Sequence, residues 1–245
     1  MNSYNITIKP YGSQAILIEW PNKVTEGILE DILQFEFHLR QNHLDLKEWE
    51  MVPAYNSLTL IHRDGEINFS KFKRELKQWY SLKRELQTLP RYQWKLPVCY
   101  DSEFAIDLPR VAELLNRSTE DVIKLHTSNV YTVYAIGFLP GFMYLGGLPE
   151  SLETDRRAEP RLNVSKGSVG LAGKQTGIYP QDSPGGWNII GSCPIPIFNV
   201  DNENPCFVNV GDRIAFYQIT KGQYELHKIQ AEVGIYNIDK IKINA

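Results

Sequence analysis

Cysteine is scarce in this chain of 245 residues: Cys99, Cys193 and Cys206 are the only three, and they show no CxxC spacing. An odd, sparse set of this kind fits a reducing, cytoplasmic setting better than a disulfide framework. There is no run of about 18 apolar residues, so no membrane-spanning helix is expected. The first residues carry no basic segment followed by an apolar one, so no secretory signal is expected either. An excess of basic charge is also missing. With 26 Lys and Arg against 29 Asp and Glu, the net charge of −3 gives no footprint for nucleic acid or for an anionic membrane. Standard catalytic signatures are lacking too. There is no GxxxxGKS/T loop, no GxGxxG between a strand and a helix, no GxSxG elbow, and no HExxH, paired-histidine or Cys/His metal spacing. A self-contained nucleotide hydrolase, serine hydrolase or metal centre is therefore unsupported.

What is present begins with alternation. Tyr4–Lys9 and Gln14–Trp20 read as half-buried strands around a Pro10–Ser13 turn. Ile28, Ile32, Phe35 and Leu39 share one helical face. Glu48–Val52 and Ser57–His62 make a second pair of strands, Phe69, Phe72, Leu76 and Trp79 a second helix, and Gln93–Tyr100 a further strand. This ββαββαβ order predicts an α/β sandwich over residues 1–92. Two short helices follow, the first at Leu108–Leu115 with Asp107 as its cap, the second opened by Ser118 and Asp121. From Tyr131 the helical period gives way to short β segments punctuated by Gly, Pro, Asn and Asp. They are Tyr131–Phe138, Met143–Gly147, Ser168–Ala172, Trp187–Gly191, Arg213–Ile219, Tyr224–Ile229 and Glu232–Ile235. A closed β-barrel over residues 93–245 is predicted, giving an α+β protein of two domains.

Eleven of the seventeen glycines fall between Gly137 and Gly191. Tyr144, Tyr179 and Trp187 lie among them. Tight barrel turns and a ligand site with aromatic walls both account for such a stretch. His126, at the end of a helix leading into it, can exchange a proton with a small polar substrate, or can interact with the helix's last carbonyls. Arg161, with Arg156 and Arg157 upstream, can hold a carboxylate or phosphate, or can be a solvated charge. Lys174 and Gln175 either point into a pocket or cap an exposed hairpin. The Pro184-Gly185-Gly186-Trp187 turn offers backbone donors beside an indole. His38, His43, His62 and His227 read as surface or strand residues.

Five segments occur in a familiar order: Val52-Pro53-Ala54-Tyr55-Asn56-Ser57-Leu58, Leu96–Asp101, Leu125-His126-Thr127, Gly137–Leu145, and Gly177–Pro180 through Ser183–Trp187. Together they resemble the 5-oxoprolinase B-subunit family, also described as the sporulation-kinase inhibitor or allophanate hydrolase subunit 1 family. The resemblance implies an N-terminal α/β domain and a C-terminal cyclophilin-like β-barrel. It implies a cytoplasmic protein, nearly inactive alone, that joins the A and C subunits of 5-oxoprolinase, the latter with a related barrel, to cleave 5-oxoproline to L-glutamate. ATP with Mg is then a co-substrate of the assembled complex, and this chain binds no cofactor or metal by itself. The resemblance places His126 as the catalytic residue. It places Tyr144, Arg161, Lys174, Gln175, Pro184, Gly185, Gly186 and Trp187 around a small amide or lactam. It also leaves two alternatives open: inhibition of a sporulation-type histidine kinase, and action on allophanate or urea-type amides.

Overall fold

Strands β1 (Thr7–Pro10), β2 (Ala15–Glu19), β3 (Trp49–Ala54) and β4 (Ser57–His62) form an antiparallel sheet in the order β1-β2-β4-β3. This is seen in the computed structural model, which describes residues 4–82 and 89–244. Alternation puts Ile8, Ile16, Ile18, Leu58 and Leu60 on one face of the sheet, where they are buried. Helices α1 (Glu26–Asn42) and α2 (Phe69–Leu82) cover that face with Ile28, Ile32, Phe35, Leu39 and Leu76. Thr25 starts α1 by accepting a hydrogen bond from the Ile28 amide at 3.3 Å. The division between two units falls between Leu89 and Pro90. The strand that follows these elements in the ββαββαβ order belongs to the second unit.

That unit contains β5 (Pro90–Cys99), α3 (Leu108–Leu114), α4 (Thr119–Thr127), β6 (Val130–Ile136), β7 (Met143–Gly146), β8 (Arg161–Val164), β9 (Ser168–Ala172), β10 (Gln175–Ile178), β11 (Ser183–Gly185), β12 (Asn188–Ser192), β13 (Arg213–Ile219), α5 (Lys221–Glu232) and β14 (Lys240–Asn244). Seven strands close a ring in the order β5-β13-β6-β7-β10-β9-β12, and Ser192 opposite Cys99 joins the last strand back to the first. Closure leaves the ring without open edges. The β5–β13 pair is parallel, from Gln93 opposite Arg213 to Cys99 opposite Ile219. Asp212, buried just before β13, fastens this seam by accepting from the Tyr92 amide at 2.9 Å and from the Trp94 indole at 2.9 Å.

Leu96, Val98, Tyr131, Val133, Met143, Leu145, Val169, Leu171, Ile214 and Phe216 fill the inside of the ring. On β9 and β10, the residues that alternate with this set include glycines. A second, smaller cluster of Phe142, Val164, Tyr179, Trp187 and Ile189 lies over that outer face. A Cβ at Gly170 would stand 3.0 Å from Cβ of Trp187, and one at Gly177 would stand 3.2 Å from its indole and 2.7 Å from the Met143 carbonyl oxygen. Two of the eleven glycines thus make room for one tryptophan lying on the sheet.

The chain departs from the expected pattern at its C-terminal end. Tyr224–Ile229 and Glu232–Ile235 are not strands: the first lies within α5, and the second spans its end and the turn beyond. Thr220 and Gln223 form a reciprocal capping box that starts this helix. Buried or half-buried Tyr224, His227 and Ala231 then follow at helical spacing. The strand that does end the unit, β14, is a short Lys-Ile-Lys-Ile segment on the outer edge of β5. Strands β8, β10 and β11 go beyond the expected set; each has only three or four residues. Among the described residues no helix is long and apolar enough to cross a membrane.

Two glycines separate crowding from loop geometry. Gly177→Ala should destabilise the protein by about 1–3 kcal/mol, because its new Cβ meets backbone and two rings. Gly137→Ala, with nothing within 4 Å of the added carbon, should stay within about 0.5 kcal/mol of wild type. Urea denaturation of both variants measures the difference, and equal stabilities would contradict this account of the outer cluster.

Candidate functional site

Asp107 is 3% exposed and accepts four hydrogen bonds. Arg161 donates in bidentate fashion, Nη1 to Oδ2 and Nη2 to Oδ1, both at 2.8 Å. Arg157 Nη1 donates to Oδ1 at 2.8 Å, and the Ile189 amide donates to Oδ2 at 2.7 Å. The sequence suggests a helix cap here. Asp107 does occupy the N-cap position of α3, but its side chain makes no capping bond, because the two arginines and Ile189 have taken its oxygens. Burial opposes ionisation of this carboxyl, yet the Arg161 hydrogen bonds, the Ile189 N–H and the two guanidinium charges outweigh it and hold its pKa below the usual carboxylate value. One carboxylate facing two guanidiniums leaves an excess of positive charge at this point.

Several neighbours complete the framework. Arg110 donates to Asn188 Oδ1 at 2.6 Å, and the Asn188 amide donates to the Asp155 carbonyl at 2.8 Å. The Arg157 amide donates to the Gly186 carbonyl at 2.8 Å, which ties the arginine segment to the Pro184–Trp187 turn. Gly185 lies opposite Arg161 in the β8–β11 ladder. A Cβ at Gly185 would stand 2.3 Å from the Tyr179 hydroxyl, so only glycine lets the turn approach that ring. Phe142 packs edge-on against Tyr144 at 4.9 Å, Tyr179 at 5.3 Å and Trp187 at 5.3 Å between ring centroids. Burial raises the Tyr144 and Tyr179 phenols above their ordinary pKa, while the nearby Arg156 charge pulls both back. Tyr144, Arg161, Gly185, Gly186 and Trp187 therefore converge, joined by Arg156, Arg157, Asp107 and Asn188. Trp187 is buried and serves as the floor; the half-buried Tyr144 and the glycine turn form the accessible surface. Such a surface suits a small planar molecule bearing an anionic group.

His126 lies elsewhere, within the barrel interior and 0% exposed. Its protonation follows from its partners. The Thr176 hydroxyl donates its proton to the Gly170 carbonyl at 3.0 Å, so it can only accept from His126 Nε2, 2.9 Å away. Nε2 therefore carries the hydrogen, and Nδ1 accepts from the Tyr100 hydroxyl at 2.7 Å. The ring stacks on Phe216 at 4.7 Å. Burial pushes its pKa down to about 3, so the imidazole is neutral at pH 7 and has no open face for a substrate.

Lys174 is on the exposed β9–β10 hairpin, 3.6 Å from Glu153, and Gln175 opens β10. A cleft of about 230 Å³ lies between Lys166, the Cys193–Ile197 segment and α5, and shares Tyr179 alone with the arginine cluster. The cluster is the better candidate site, because there the charges and aromatic rings converge. Sequence reasoning missed Asp107 as a hub, together with Arg110, Asn188, Tyr100 and Thr176. Asp107 lies 50 and 54 positions from its arginines, and no local pattern marks such pairs.

Asp107→Asn keeps the shape of the hub and removes its charge. A stability loss of about 3 kcal/mol is expected from denaturant titration, and an unchanged midpoint would show that the hub carries little. His126 contributes differently. Its folded pKa lies below its unfolded one, so its contribution is complete above about pH 6.5 and declines as pH falls towards 3, by at most about 1.4 kcal/mol per unit. His126→Gln should remove that component of the acid-side slope. Parallel slopes for variant and wild type would refute the neutral assignment.

Comparison with known proteins places this chain in a family. The carboxyltransferase domain, subdomain C and D, matches residues 6–208. The chain is 42% identical over 212 residues to the 5-oxoprolinase B subunit of Haemophilus influenzae, covering 86% of this chain and 97% of that protein. It is 36% identical over 235 residues to the 5-oxoprolinase B subunit of Bacillus subtilis, covering 90% and 96%. The solved urea carboxylase of Kluyveromyces lactis matches with a TM-score of 0.80 over 99% of this chain and 24% of that one; at 17% identity this reports the fold alone. With most of its length matched by the domain and by these two relatives, the chain belongs to the carboxyltransferase subdomain C and D family, among the 5-oxoprolinase B-subunit proteins.

Proposed function

We propose that this chain is the B subunit of an ATP-dependent 5-oxoprolinase and helps the A and C subunits convert 5-oxoproline to L-glutamate. The observation that carries this reading, beside family membership, is the pair of guanidiniums on Asp107 next to the Tyr144 and Gly185-Gly186 surface. 5-Oxoproline is a flat lactam with one carboxylate. The ring lies against Tyr144, and the carboxylate meets the positive charge of Arg156 and Arg161. Opening the lactam breaks its C–N bond, with water supplying a hydroxyl to the carbonyl carbon and a hydrogen to nitrogen. Negative charge develops on the carbonyl oxygen during this step, and fixed donors or positive charge near it stabilise that change. ATP, bound with Mg, is the co-substrate that drives the reaction in the assembled complex. Among the described residues no complete set of acid, base and nucleophile converges in this unit, in keeping with a site finished by the related barrel of the C subunit. His126 acts here as a positioning residue: it holds β10 and, through Tyr100, the end of β5 in place.

Reconstitution with the A and C subunits tests this. Glutamate formation from 5-oxoproline should require this chain. Arg156→Gln, an exposed change, should raise the KM for 5-oxoproline roughly tenfold with little effect on kcat, as loss of one charge-assisted contact implies. Full activity without the chain would overturn the assignment, and an unaltered KM would move the carboxylate away from Arg156.

A further inference from the structure

We propose that His38 and His43, at the C-terminal end of α1, chelate a zinc-class metal ion through their Nε2 atoms. These two atoms stand 3.3 Å apart. Two imidazole nitrogens bound to tetrahedral zinc, each at about 2.05 Å, are separated by about 3.3 Å. A second distance agrees. Rings converging on such an ion have centroids about 5.2 Å apart, whereas a collinear N–H···N hydrogen bond of this length would put them about 5.6 Å apart. The observed separation is 5.1 Å, with the rings inclined at 66°. The rings are thus set closer than in a collinear hydrogen bond, at a separation that a shared ion would give.

Both rings are held. His43 stacks on Trp79 of α2 at 4.3 Å and 11°. Asn42 reaches the other nitrogen of His38, Nδ1, at 3.2 Å and the His38 carbonyl at 2.9 Å. A partner on the remote nitrogen is what orients metal-binding histidines. Without metal, a single proton between the Nε2 atoms satisfies both. When the ion binds, that proton shifts to Nδ1 of His38, where Asn42 turns its carboxamide oxygen to accept it. Imidazole ligands and tetrahedral spacing favour Zn²⁺; metals that prefer square-planar angles need nitrogens closer together, at about 2.8 Å. Among the described residues His38 and His43 supply two of four ligands, and water can complete the sphere. The effect is a clamp that fixes the C-cap residue His43 back onto the last turn of α1.

Sequence spacing conceals the pair. Five positions separate the histidines, whereas helical ligand pairs stand three or four apart. His43 has left the helix, with φ −138° and ψ −31° at the C-cap, and this turns its ring back onto the last turn.

The test uses the full chain after chelator treatment. Cobalt(II) should bind at one site per chain with the intense visible absorption of tetrahedral coordination, and Zn²⁺ should displace it. Zn²⁺ should also raise the Tm, and a chelator should reverse the shift. His38→Ala and His43→Ala should each weaken Zn²⁺ binding at least about tenfold and abolish the visible bands, with circular dichroism confirming the fold. His62→Ala and His227→Ala should change neither. Absence of tetrahedral bands in the wild type, or unchanged Zn²⁺ affinity in the His38 and His43 variants, would overturn the proposal.

Discussion

One buried carboxylate organises the outer side of the barrel unit. Asp107 joins the start of α3, the start of β12 and the arginine segment that leads into β8, through four hydrogen bonds. The partners come from two stretches of chain, one at Arg157–Arg161 and one at Ile189, both far from Asp107, so neither contact is fixed by local preference alone. Two guanidiniums side by side repel unless an anion lies between them, and burial of that anion makes their attraction strong and its loss costly. The same arrangement leaves unbalanced positive charge near Tyr144 and the glycine turn. The structural tie and the binding surface therefore have one cause.

The interior of the ring works by the opposite rule. His126 is surrounded by Tyr100, Tyr131, Thr176 and Phe216, with no opposite charge beside it. A protonated imidazole there would lack compensation, so the fold keeps it neutral and satisfies both ring nitrogens with hydroxyl groups. Its geometry specifies which strands meet. A neutral polar network inside and an ion-paired one outside divide the tasks of holding the barrel and presenting charge.

Elements were legible where periodicity was long and one-sided. The faces of Ile28–Leu39 and Phe69–Trp79, and the alternation of Ile16 with Ile18 and of Leu58 with Leu60, carry their structure in their spacing. The barrel was visible as punctuated short strands, and the convergence of Arg161, Tyr144 and the Gly185-Gly186 turn was suggested by a cluster of residue types. What stayed hidden depends on distant pairing. Lys221–Glu232 carries only one β-branched residue, Ile229, and one tyrosine, Tyr224, among good helix formers, and the Thr220–Gln223 cap together with the spacing of Tyr224, His227 and Ala231 sets the helix. Asp107 read as a cap because capping is a local motif and its arginines lie far along the chain. His126, at the end of a helix, gave no sign that the barrel closes over it.

The parallel seam between β5 and β13 has a consequence for how the unit is made. Its first strand pairs with the last strand of the ring, so the barrel closes only after nearly the whole unit has left the ribosome. Until then β5 has only the single Ser192–Cys99 bridge to β12, since β14 follows later still. Topologies dominated by such distant contacts fold slowly, and an unpaired apolar strand is exposed to association during the wait. Asp212 lies beside the Tyr92 amide and the Trp94 indole, where it can reward the late arrival of β13. The nascent chain therefore passes through a long interval in which its oldest barrel strand needs shelter from other chains.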